Sequence, residues 1–104
     1  MDAHPGVLFR EGPAGRRAVL VGGPDVWEVV RSVKAVRSAN PGLAGEAALD
    51  LVAELTGLQR RYVDVAVGYY AHYPDEVDGL IGDADMAEEA LVEAAERRTS
   101  LLGV

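Results

Sequence analysis

The chain has 104 residues, 26% of them charged and 49% hydrophobic, which suits one globular domain and is too apolar for wholesale disorder. It contains no cysteine, so disulfides, thiolate metal sites and cysteine nucleophiles are excluded, and its apolar runs are too short for a membrane span. The formal net charge of -7 counts against nucleic-acid binding, but it is unevenly spread. Residues 1–61 hold eight Arg/Lys and seven Asp/Glu, whereas residues 62–104 hold two Arg and ten Asp/Glu. The acidity belongs to the C-terminal part, leaving the front half near neutral. No charged segment followed by a hydrophobic stretch opens the chain, so no secretory signal is read and the expected compartment is the cytoplasm.

Gly6 to Gly23 reads as a β-hairpin. Val7–Arg10 and Arg17–Val21 are β-prone, and Gly12-Pro13-Ala14-Gly15 between them is turn chemistry. Two strands alone are marginal in water, so the ribbon requires helices beneath it or a second chain beside it. Asp25 stands where a helix cap belongs. Val26, Trp27, Val29, Val30, Val33 and Val36 then recur at roughly helical spacing to about Ser38, with Trp27 as a core anchor. Arg31, Lys34 and Arg37, at steps of three, form a basic stripe away from that apolar face.

After the loop Asn40-Pro41-Gly42, Glu46–Leu55 and Gln59 to about Tyr73 read as two helices joined at Thr56-Gly57-Leu58. Ala53 lies four residues before Gly57, giving a small residue at the crossing and a glycine at the turn, as a helix-turn-helix requires. Gln59, Arg60, Arg61 and Tyr62 open the second helix and are the candidates to meet DNA: arginine pairs with guanine, glutamine with adenine, and both hold phosphates. Arg31 and Lys34 are candidates for backbone phosphates. The alternative is a solvated helix start and a solvated stripe, and Asp64 would repel phosphate if it faced the groove. Arg16 and Arg17 on the ribbon have two options of their own, a phosphate or a pairing across a dimer.

Tyr69, Tyr70 and Tyr73 follow, with Tyr69 and Tyr73 on one face, as core or interface packing. Pro74-Asp75-Glu76 opens a further helix with an apolar face of Val77, Leu80 and Ile81. Gly82-Asp83 is expected to interrupt it. A last helix is expected from about Ala84 to Thr99, with Met86, Ala87, Ala90, Leu91, Ala94 and Ala95 on one side and mostly glutamate on the other. His4 and His72 lack ligand partners at helical spacing, and the carboxylates Asp75, Glu76 and Asp78 read as a helix N-terminus. No nucleophile context is found, and Gly22-Gly23 lacks the Gly-Lys-Ser/Thr of a phosphate loop, so no enzyme, cofactor or metal is expected.

Arg17–Val30, then Leu55-Thr56-Gly57-Leu58, then Val63–Asp78 with its closing Tyr73-Pro74-Asp75-Glu76-Val77-Asp78, resemble the DUF433 domain of small bacterial proteins described as VapB-like antitoxins. The shared pattern is a β segment ending in a turn, a Val-Trp helix start, a helix-turn-helix, and a closing aromatic-Pro-acidic block. The resemblance spans roughly residues 7 to 82. Two departures are plain: Gly22-Gly23-Pro24-Asp25 where the family has a glycine-threonine turn, and the longer spacer Arg37–Gly45. The resemblance implies an antitoxin that silences a PIN-like nuclease and represses its own promoter.

The expected architecture is therefore mainly α: an N-terminal β-hairpin, a helix-turn-helix within a three- or four-helix bundle over residues 1–82, and an acidic amphipathic helix over 83–104. A homodimer is expected, since two copies cover the ribbon edge and supply two recognition helices to a symmetric operator. Residues 83–104 are expected to hold the toxin through Met86, Leu91, Arg97 and Arg98, an arginine entering the nuclease's acidic site. The alternative is a protein-interaction or scaffold module with a vestigial helix-turn-helix and no DNA binding.

Overall fold

Two short apolar runs, Val7-Leu8-Phe9 and Ala18-Val19-Leu20, form the heart of the first element, a ribbon. The computed structural model describes residues 5–12, 15–21 and 23–103. Strand β1 (Val7–Gly12) runs antiparallel to β2 (Gly15–Leu20), with Val7 opposite Leu20 and Gly12 opposite Gly15. Both strands reach two residues further toward the loop than their β-prone cores. Pro13 and Ala14, together with His4 and Gly22, lie outside the described residues. The ribbon is anchored at one end only: Val7, Ala18, Val19 and Leu20 are buried, while Leu8, Phe9 and Arg10 are exposed.

Four helices follow: α1 (Val26–Ala39), α2 (Gly45–Thr56), α3 (Arg60–His72) and α4 (Pro74–Leu102). Asp25 is the N-cap residue of α1, but its carboxylate is spent elsewhere. Trp27 Nε1 donates to Oδ2 at 3.0 Å, and Arg17 Nε lies 2.6 Å from the same oxygen. That ion pair is not a well-aligned hydrogen bond, since the Arg17 Nε–H finds no acceptor along its own direction. Glu28 returns to the Asp25 backbone N–H at 3.3 Å, one half of a capping box. Trp27 is half-buried and packed against the core, so it fastens ribbon to helix from the rim.

Helix α1 is central and touches β2 and all three other helices. Its Val26, Val29, Val30 and Val36 meet Ala48 and Val52 of α2, Val63, Ala66 and Tyr69 of α3, and Val77 and Ile81 of α4 in one cluster. The spacing of three and four puts each set on a single stripe. Valine and alanine dominate, so the helices pack closely and Tyr69 is the largest of the fully buried side chains. No polar or charged side chain is buried among the described residues.

The turn between α2 and α3 is set by Gly57, which takes φ 75°, ψ 7° and returns its N–H to Ala53 O at 3.0 Å. Thr56 Oγ1 donates back to Val52 O at 2.7 Å and accepts the Leu58 N–H at 3.3 Å, closing the corner. Nothing lies near the position of a Cβ at Gly57, so only the left-handed backbone demands glycine. Gly57→Ala is expected to cost about 1–2 kcal/mol. Urea unfolding should show this as a lower midpoint at unchanged slope; an unchanged midpoint would refute the role given to Gly57.

One expectation fails. Gly82-Asp83 does not interrupt the last helix, which runs unbroken for 29 residues from Pro74 to Leu102. Gly79 and Gly82 each cost roughly 1 kcal/mol relative to alanine, too little to end a helix that Val77 and Ile81 bury against the body and whose later residues favour it. Val77, Ile81 and the half-buried Ala84 keep their phase across that point, and the stop comes only at Gly103, with φ 70°. What changes along α4 is burial: every described residue from Asp85 onward is exposed. The helix leaves the body there as an arm, in a molecule 51 Å along its longest axis.

Candidate functional site

The first candidate surface is the start of α3, and its residues divide sharply. Arg60 is closed into a cage of carboxylates. Its Nη1 lies 2.5 Å from Asp50 Oδ1 and donates to Glu46 O at 3.3 Å, Nη2 reaches Glu46 Oε1 at 2.9 Å, and Nε reaches Asp64 Oδ1 at 3.2 Å. Asp50, then Glu46 and Asp64, hold the guanidinium pKa above its ordinary value despite the opposing effect of desolvation. Arg60 therefore fastens α3 to α2. Asp64, which threatened to repel phosphate, stays exposed but is paired with Arg60 along the same helix.

Gln59, the N-cap residue of α3, and Arg61 stay exposed. Arg61 Nη2 donates to Tyr62 Oη at 3.2 Å, and its guanidinium sits 4.9 Å from the Tyr62 ring centre. A side chain held only by its neighbour's ring is free to swing toward another partner. Tyr62 itself is half-buried. The face that would meet a nucleic acid thus offers Gln59 and Arg61, with Arg60 committed to the scaffold.

The basic stripe of α1 stays at the surface, with Lys34 and Arg37 exposed and Arg31 half-buried, but each of its side chains has a partner within the fold. Arg31 Nη1 reaches Glu88 Oε1 at 2.9 Å and Asp85 Oδ1 at 3.2 Å, and its guanidinium lies 5.1 Å from the Trp27 ring centre. Lys34 Nζ donates to Tyr70 Oη at 3.1 Å and lies 3.2 Å from Asp78 Oδ1, while the Tyr70 hydroxyl donates to Asp78 Oδ2 at 3.0 Å. Glu88 chiefly raises the Arg31 pKa, and Tyr70 then Asp78 raise that of Lys34. Arg37 is turned to Leu43 O at 2.8 Å. Arg31 and Lys34 clamp α4 to α1; a phosphate approaching them would have to displace carboxylates.

The other candidates fall into place beside these. Tyr69 and Tyr73 share a face, with ring centres 4.8 Å apart, and Tyr70 points elsewhere, toward Lys34. The Tyr69 hydroxyl donates to Glu76, and burial followed by Glu76 pushes its pKa up, so it stays a protonated donor. On the ribbon, the Arg16 guanidinium stacks 3.9 Å over the Phe9 ring and Arg17 is held at Asp25. No group of three or more His, Asp or Glu among the described residues is placed to hold a metal ion. A cleft of about 370 Å³ between Pro24, Glu28, Val29, Ser32, Thr56 and Leu58 contains one carboxylate, and that one caps α1.

The second candidate surface is the arm. Met86, Leu91, Val92 and Leu101 are 69%, 71%, 57% and 86% exposed. Arg97 lies 3.8 Å from Glu93, and Arg98 stands exposed beside it. An arm that keeps five large apolar residues in water (Leu102 is the fifth) is unusual for an isolated domain. No helix among the described residues is long and apolar enough to cross a membrane. Comparison with protein-family models, with curated proteins and with solved structures returns no match.

Proposed function

We propose that the protein is a non-enzymatic, antitoxin-like regulator of the cytoplasm, acting as a homodimer. Its helix-turn-helix body reads its own promoter, and its arm holds a PIN-like nuclease. The observation that carries the protein-binding half is the arm itself: Met86, Leu91, Val92, Leu101 and Leu102 stand exposed on a stretch of helix that the described residues leave uncovered. The DUF433 resemblance of residues 7 to 82 supports the pairing of a DNA-binding body with a toxin. On this reading Met86 and Leu91 supply apolar anchors, and Arg97 or Arg98 enters the acidic centre of the nuclease in place of its metal ion.

For DNA, the supporting geometry is the tight α2–α3 corner and the exposed Gln59 and Arg61 at the start of α3. A mobility shift on the protein's own promoter over a salt series tests it. Arg61→Ala is expected to weaken binding about tenfold while leaving thermal unfolding unchanged, and binding should fall as salt rises. Arg60→Ala is expected to act differently, by loosening α2 against α3 and lowering the unfolding temperature. Binding that ignores Arg61 would refute the DNA role.

A second reading is a protein-interaction module whose helix-turn-helix no longer meets DNA. Arg60 caged by Glu46, Asp50 and Asp64, and Arg31 and Lys34 committed to α4, favour it. No shift at low salt on the promoter would select this reading over the first.

A further inference from the structure

Val77, Ile81, Ala84, Glu88, Leu91, Ala95, Arg98 and Leu102 follow one another along α4 at steps of four and three. That spacing is a coiled-coil seam. Its first two members are buried against the body, Ala84 is half-buried, and the rest are exposed. The seam therefore begins as an intramolecular contact and continues beyond it, unchanged in phase; of its exposed apolar members none is covered by the described residues, and Glu88 alone reaches back to the body, through Arg31. It is also unusual in content: alanine alternates with leucine, and one acidic and one basic residue occupy seam positions.

We propose that this seam pairs with the same seam of a second copy, antiparallel, with the twofold axis at the level of Glu93. In that register Ala84 meets Leu102 of the second copy, Glu88 meets Arg98, and Leu91 meets Ala95. Every layer joins a large side chain to a small one or an anion to a cation, and twofold symmetry repeats each layer, giving four apolar layers and two ion pairs. A parallel pairing would instead stack Arg98 on Arg98 and Glu88 on Glu88. Glu93 faces away from the seam, so the twin Glu93 side chains at the axis do not confront one another.

The flanks agree with this occupant. Ala87 and Ala94 border the seam on one side, small enough for close approach of two helices, and Val92 meets its own twin on the other. Glu88 presents Oε1 to Arg31 at 2.9 Å, which leaves its second oxygen for Arg98 of the other copy. The incoming arginine would complete a line of charges, guanidinium–carboxylate–guanidinium, at the point where arm leaves body. Residues 84–102 give about 28 Å of shared helix, a small interface, so association is expected to depend on concentration.

Because the chain has no cysteine, an introduced pair reports the register directly. Ala84→Cys combined with Leu102→Cys should give a disulfide-linked dimer under mild oxidation, and neither single variant should. The two positions are eighteen residues apart on one rigid helix, about 27 Å, so they cannot join within a chain. Sedimentation of the full chain over a concentration series should show a reversible dimer. Arg98→Glu or Leu91→Glu should raise its dissociation constant at least tenfold, with helicity and unfolding temperature unchanged because both positions are exposed. A monomer at every concentration, a dimer indifferent to both substitutions, or linkage of the Ala84→Cys single variant would each overturn the proposal. Leu91 and Arg98 are the residues the proposed function gives to the nuclease, so a second copy and a nuclease would exclude one another on the arm; the chain alone is used, so the outcome is independent of any nuclease.

Discussion

Tyr69→Ala is expected to cost about 3–5 kcal/mol, the range for removing a large aromatic from a core. Tyr69 is 2% exposed in a cluster otherwise built of valine, alanine and a few larger aliphatics. Its ring meets Phe9 of the ribbon edge-on at 6.3 Å and Tyr73 at 4.8 Å, and its hydroxyl reaches Glu76 in the first turn of α4. One side chain therefore ties ribbon, α3 and α4 together. Small neighbours on helices cannot collapse into the space it leaves, so the cavity persists. A small domain has only about 5–15 kcal/mol of stability in total, so the variant should be largely unfolded at modest urea. Tyr69→Phe keeps the ring and removes only the donor, and Glu76 is exposed enough to take water instead. That variant should lose about 1 kcal/mol. Urea unfolding measures both; a loss below about 1 kcal/mol for Tyr69→Ala would show that the ring is not the keystone described.

Ending the chain after Ala90 is expected to separate folding from partner capture. The cut spares Asp85 and Glu88, which face Arg31, and removes Leu91, Arg97 and Arg98. Every residue removed is exposed or lies beyond the described residues, so the thermal midpoint should move by no more than about 3 °C. Binding to a cognate PIN-like nuclease should fall by more than about a hundredfold, because a few large anchors carry most of an interface's energy. Nuclease binding that survives the cut would move the toxin site onto the body. A large drop in midpoint would mean that the arm is part of the fold.

The helical periodicities of α1, α2 and α3 were legible because each buried stripe is regular. The α2–α3 turn was legible because glycine at a left-handed corner leaves a local mark. The continuity of α4 was not. Gly82 next to Asp83 looks like punctuation, yet Gly79 and Gly82 together cost less than the buried Val77 and Ile81 and the long run of good helix formers gain. The fate of the arginines was also hidden. Asp64 reads in the sequence only as a charge that repels phosphate, although it stands four residues on from Arg60; Glu46 and Asp50 lie across a turn, and Glu88 lies 57 residues from Arg31. The signal available was the four-residue spacing of Glu46 and Asp50 on the face of α2 that borders the next helix. A basic stripe reads as a surface for an outside anion until the fold supplies an internal one.

The bareness of the arm also bears on how long the molecule lasts. A protease needs a stretch of chain to come loose before it can cut, and local opening is cheapest where few buried contacts resist it. Beyond Glu88 each turn of α4 is held by little more than its own backbone hydrogen bonds, and Arg97-Arg98 places a basic dipeptide near its tip. Digestion would begin there and work toward the body. A nuclease or a second copy seated on the arm, as proposed above, would close that entry, and the lifetime of the protein would then report whether that partner is present.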